Sequence, residues 1–234
     1  MNLKFNLFLA LAAVAITAPL SATPVTLGQC AGPAVLGCPA PLDIFDLTNP
    51  GQFVVGQTSG VTGLNAQGGI LYTGWLRSAV YQNLSTGTLD FFYQYKNDST
   101  SPDPISRLTM TNFVGFTTNI GYSNQNFDGT GNAQVNFRAG DQAPLYGERS
   151  SASTVGFNFG TGSAKIEPGE TSSILVIRTN ATNYTIGSTS VINGATTNIA
   201  TYAPTNGSSV PEPGTYALFG AGLFALCMLR RRQA

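Results

Sequence analysis

From residue 40 to residue 202, apolar and polar side chains alternate at every second position again and again, and Gly, Asn, Asp and Pro punctuate the alternation. A period of two belongs to a β-strand with one covered face, and no stretch carries the longer period of an amphipathic helix. Over 88–96, Leu89, Phe91, Tyr93 and Tyr95 point one way and Thr88, Asp90, Gln94 and Lys96 the other, with Phe92 the exception. Over 133–138, Ala133, Val135 and Phe137 alternate with Gln134, Asn136 and Arg138, and Val155, Phe157 and Phe159 repeat the pattern over 153–160. Further strands are predicted over 42–47, 52–55, 70–76, 79–84, 108–116, 173–179, 184–192 and 197–202. Roughly ten strands so spaced predict an all-β fold of two packed antiparallel sheets, a sandwich of jelly-roll-like or alternatively immunoglobulin-like topology. The run Ile174, Leu175, Val176, Ile177 is apolar on both faces, which predicts a central strand buried on both sides or shielded by a loop.

The two ends break this pattern. Lys4 precedes an unbroken apolar run over 7–16, followed by Pro19, Ser21 and Ala22, the three-part layout of a secretory signal peptide. The run is too short to remain as a permanent membrane span, and cleavage after Ala22 would start the mature chain at Thr23. At the other end, Pro211, Glu212 and Pro213 form a stiff polar segment that proline keeps out of a helix. Residues 216–229 are then continuously apolar, and Arg230, Arg231 and Arg232 follow as a cytoplasmic stop. With Gly214 and Thr215 the run predicts a short transmembrane helix over 214–229, its arginines snorkelling to the interface.

This tail resembles the PEP-CTERM sorting signal, in which a Pro-Glu-Pro motif precedes a short transmembrane helix and a terminal arginine cluster. The resemblance covers residues 210–234. It implies that Pro211, Glu212 and Pro213 are recognised by an exosortase-type processing enzyme, and that they are not a catalytic site of this chain. It further implies a precursor anchored in the inner membrane of a Gram-negative bacterium that makes extracellular polysaccharide, destined for the cell surface or extracellular matrix. An ordinary C-terminal anchor behind a Pro-rich linker is the plainer alternative. A Leu-Pro-x-Thr-Gly sortase motif is absent, and a terminal arginine triplet is out of place in a glycolipid-anchor signal.

The predicted organisation is a signal peptide at 1–22, a leader at 23–40, the sandwich at 41–202, a linker at 203–209 and the sorting tail at 210–234. In the leader, Cys30 and Cys38 lie eight apart, and in an exported chain such a pair reads as a disulfide. Closing so short a loop contributes about 2–3 kcal/mol. Two unlinked buried thiols are the alternative.

Composition narrows the chemistry. Charged residues make up 9% of the chain, and the span 23–209 holds seven Lys and Arg against ten Asp and Glu, without a basic patch, so nucleic acid is not an expected partner. There is no histidine, which removes His-dependent nucleophilic catalysis, His-ligated zinc and a His general base.

Three constellations remain. Asn124, Asn126, Asp128 and Gly129 fit the opening of a calcium loop, but the twelfth position is Val135 where a bidentate Glu belongs. A bound Ca²⁺ is one reading, and a plain inter-strand loop the other. Asp98 with Asp103, and Glu167 with Glu170, are carboxylate pairs of the kind glycosidases use, although Pro and Gly beside them point to turns. Trp75 is the only tryptophan; it and Tyr72, Tyr81, Tyr93 and Tyr95 are candidate stacking faces for sugar rings, or simply core. The Asn-x-Ser/Thr sequons at Asn83, Asn97, Asn183 and Asn206 have little meaning in a bacterial protein.

The sequence therefore predicts a non-enzymatic, structural or adhesive surface protein with no cofactor. A carbohydrate-binding module acting on extracellular polysaccharide is the alternative, and an exported hydrolase working with carboxylates alone is the third reading.

Overall fold

The computed structural model describes residues 24–128 and 135–207, which form fourteen strands and two single-turn 3₁₀ helices. The signal peptide, the Pro211, Glu212, Pro213 motif, the 214–229 helix and Arg230, Arg231 and Arg232 lie outside the described residues. In chain order the strands are β1 (Cys30–Ala31), β2 (Asp43–Ile44), β3 (Gln52–Leu64), β4 (Ile70–Gln82), β5 (Leu89–Asn97), β6 (Arg107–Met110) and β7 (Thr118–Ser123). They continue as β8 (Phe127–Asp128), β9 (Asn136–Phe137), β10 (Tyr146–Glu148), β11 (Val155–Asn158), β12 (Ile174–Thr179), β13 (Asn183–Asn193) and β14 (Ala195–Thr205).

Two six-stranded sheets pack as a sandwich. The first runs β2-β7-β12-β5-β4-β3 and the second β1-β10-β11-β6-β13-β14, while β8 and β9 form a small separate ribbon. All pairings are antiparallel except β2 with β7. The turns explain the hairpins. Between β3 and β4 the Asn65 Oδ1 accepts the N–H groups of Gln67 and Gly69 at 3.0 and 2.8 Å, and Gly68 takes a left-handed φ of 82°.

The alternation read in the sequence becomes two apolar layers. Between the sheets lie Tyr72, Leu76, Val80, Phe91, Tyr93, Tyr95, Leu175 and Ile177 from the first, and Leu108, Phe157 and Val191 from the second. Buried tyrosines tie the sheets across this layer: Tyr72 donates its hydroxyl hydrogen to the Val191 carbonyl at 2.7 Å, and Tyr93 donates to that of Tyr202 at 2.5 Å. On the outer face of the first sheet, Ala79, Tyr81, Phe92, Ile174 and Val176 are covered by Phe45, Leu47, Phe53, Val135 and Phe137. Thus β12 is central and apolar on both faces because a loop cover closes over its outer side.

Several element boundaries differ from the sequence pattern. The stretches 70–76 and 79–84 are one strand, β4, because Arg77 and Ser78 continue the alternation instead of breaking it. β3 extends to Leu64 through a run of Gly, Ser and Thr whose outward positions need no apolar side chain. β1, β7, β8 and β10 are additional, and β6 stops at Met110, beyond which Asn112 adopts φ 76°. The leader is part of the fold: β1 pairs with β10, Val25 and Ala31 are buried, and Cys30 and Cys38 are disulfide-bonded with Cα atoms 5.0 Å apart. The linker expected from 203 starts later, since Ala203, Pro204 and Thr205 pair with Thr185, Tyr184 and Asn183. Ala203 is buried there, so the strand is covered and not exposed linker.

Candidate functional site

The outer face of the first sheet changes character along β4. Ala79 and Tyr81 lie under the apolar cover, and two and four residues earlier the same face presents Arg77 and Trp75. Cross-strand register sets their neighbours: Lys96 of β5 stands opposite Trp75, Gln94 opposite Arg77, and on β3 Gly60 faces Trp75 and Thr58 faces Arg77. A cleft of about 600 Å³ opens there, lined by Thr58, Trp75, Arg77, Lys96, Asp98, Asn136, Arg138 and Thr171. Trp75 is 49% exposed, whereas Tyr72, Tyr81, Tyr93 and Tyr95 are each 1% exposed or less. Gly60, opposite Trp75, presents no side chain, and a Cβ placed there would meet nothing within 4 Å.

Gln94 builds the far wall. It is fully buried, accepts the Arg138 N–H on Oε1 at 3.1 Å, and donates from Nε2 to the carbonyls of Arg138 and Ser172 at 2.7 and 2.9 Å. This clamp fixes the backbone at Arg138 over the sheet, so that Arg138 lines the same cleft as Arg77. Burial first, and the Arg138 charge second, hold the Arg77 guanidinium below its ordinary pKa. Lys96 Nζ donates to the Gly169 carbonyl, and Thr171 is held by its N–H bond to Asp141 Oδ2 at 2.8 Å.

The remaining candidates are dispersed. Asn124 Oδ1 accepts from the Ser173 hydroxyl and Asn126 Oδ1 accepts the Ala139 N–H at 2.9 Å, so both oxygens brace the loop base. The Asp128 side chain and Gly129 lie outside the described residues, and among the described residues no three acidic or cysteine side chains gather as a metal site. Glu170 Oε2 accepts the Glu167 N–H at 2.9 Å, closing the turn that carries both carboxylates. Asp98 lines the cleft, but Asp103 does not.

A family model described as the PEP-CTERM protein-sorting motif matches residues 209–232, which contain Pro211, Glu212, Pro213 and the three arginines. The chain carries a PEP-CTERM sorting motif. A PEP-CTERM protein is exported, sorted to the cell surface and processed by an exosortase. No curated protein and no solved structure matches the chain. The motif covers the C-terminal tail alone and does not extend into the sandwich. Of the cleft residues, the sequence singled out Trp75 and, for other chemistry, Asp98. Arg77, Lys96 and Arg138 were missed because their convergence depends on strand register and on Gln94 holding a remote loop. The one available signal was the alternation that placed Arg77 on the same face as Trp75.

Proposed function

We propose that this PEP-CTERM protein is a non-enzymatic, adhesive surface protein whose β-sandwich binds extracellular polysaccharide in the Trp75 cleft. The observation that carries this reading is the half-exposed indole at an open cleft, in a fold that buries the four neighbouring tyrosines. An indole face offers apolar contact to the C–H face of a sugar ring, while Thr58, Asn136 and Thr171 supply hydroxyl and amide partners around it. A cell-surface destination supports a polysaccharide ligand. A binding role also fits the carboxylates: the described cleft holds Asp98 alone, where glycosidic bond cleavage by the usual route needs a pair. The test is a glycan-array screen of the full chain beside Trp75→Ala. Binding that falls tenfold or more in the variant is expected. Failure of the parent protein to bind any glycan would defeat the reading.

A further inference from the structure

Positive charge is scarce in this fold, and its placement is uneven. Of the seven Lys and Arg residues between Pro24 and Gly207, Arg107 is paired with Glu148 at 2.6 Å and Arg178 with Asp90 at 3.4 Å. Arg149 is buried and donates to the carbonyls of Phe113, Phe116 and Ala152 and to the Thr118 hydroxyl. Lys165 stands apart. The other three, Arg77, Lys96 and Arg138, all line the Trp75 cleft, where the described residues include one opposing carboxylate, Asp98. Among the described residues, neither Arg77 nor Arg138 lies within ion-pair distance of a carboxylate. Both arginines line one cleft, the buried Gln94 clamp holds the chain at Arg138 there, and like charges gathered in one cleft repel each other. Such an arrangement is relieved by an anion lying between the two cations.

We propose that the cleft is selective for acidic saccharides, with Arg77 and Arg138 holding the carboxylate of a uronic-acid residue whose ring lies on Trp75. This rests on the polysaccharide-binding reading above and adds the ligand's class to it. The planar guanidinium fork matches a carboxylate through two parallel N–H···O bonds, and the sugar ring bearing that carboxylate presents a C–H face to the indole. Lys96 adds a third positive charge, and Asp98 accepts from ring hydroxyls. A neutral glycan gains the stacking contact but leaves the cleft's positive charge unopposed. An acidic polypeptide supplies carboxylates without a ring to stack.

The experiment measures binding of the full chain in detergent to oligogalacturonate, neutral isomalto-oligosaccharide and oligoglutamate. Oligogalacturonate is expected to bind at least tenfold more tightly than either other ligand. Arg77→Gln and Arg138→Gln should each weaken it about tenfold without changing neutral binding, and Arg77→Lys should restore only part, because the fork is lost. Trp75→Ala should weaken both sugars. Because Arg77→Gln removes a like-charge repulsion, its thermal midpoint should hold or rise while acidic-sugar affinity falls; a purely structural arginine would lose both together. Neutral and acidic sugars bound equally, with dependence on Trp75 but not on Arg77, would overturn the acidic selectivity and leave the polysaccharide reading standing. Oligoglutamate bound as tightly as oligogalacturonate would overturn it in favour of charge alone. No binding of either sugar would overturn both readings.

Discussion

Asp90 is buried on the outer face of the first sheet, 4% exposed, with Arg178 Nε 3.4 Å away and stacked over the Phe45 ring. Burial pushes its carboxyl up to about 7, and the Arg178 charge only partly opposes this. In the unfolded chain an aspartate titrates near 3.9, so between roughly pH 4 and 7 the folded protein holds a proton that the unfolded chain has released. The stability this group contributes is therefore complete below about pH 4 and is lost as pH rises through about 7. Asp46 has the opposite sign: the Thr48 hydroxyl and amide and the Gln125 amide hold it at about 2, so its contribution is present above about pH 4 and lost as pH falls through 2. Thermal melts from pH 5 to pH 8 should show a falling midpoint, and Asp90→Asn should flatten that slope. A slope unchanged in Asp90→Asn would remove Asp90 as its source.

At the scale of elements, the cover over the first sheet depends on what β3 lacks. A Cβ at Gly56 would stand 2.3 Å from Val135 Cγ2, so only glycine lets the loop descend onto Ala79 and Phe92. Gly56→Ala is expected to destabilise by about 1–3 kcal/mol through overpacking. At roughly 2–4 °C per kcal/mol, differential scanning calorimetry would read this directly. Val135→Ala in the same chain should recover most of the loss, since it removes the clashing methyls. Independent, additive effects would mean the two residues do not meet. The same strand shows what the sequence could reveal. β5 and β12 were legible because their side chains are covered and therefore apolar. β3 was legible only over 52–55, because beyond that its outward face is open and its glycines serve close approach, so alternation vanished where packing no longer required it. The 70–84 stretch was read as two strands for a related reason: Arg77 lies in a strand but serves the cleft.

At the scale of the molecule, destination and architecture were both legible, one as a linear motif and the other as repeated alternation. The cleft was not, because it joins β3, β4 and β5 to Asn136, Arg138 and Thr171, residues distant in sequence that only register and the Gln94 clamp bring together. The end of β14 carries a further consequence. Thr205 is its last paired residue, and Pro211 opens the Pro-Glu-Pro segment, so six peptide steps, at most about 20 Å, separate the finished sheet from that segment. The tether is shorter than β14 itself, whose eleven residues span roughly 36 Å. Timing thus becomes a steric matter: an enzyme meeting the folded protein must reach its motif within about 20 Å of the end of β14, whereas one meeting the nascent chain has open access. Inserting ten Gly and Ser residues after Gly207 should speed tail removal in a pulse-chase experiment if folding comes first. An unchanged rate would put the cut ahead of folding.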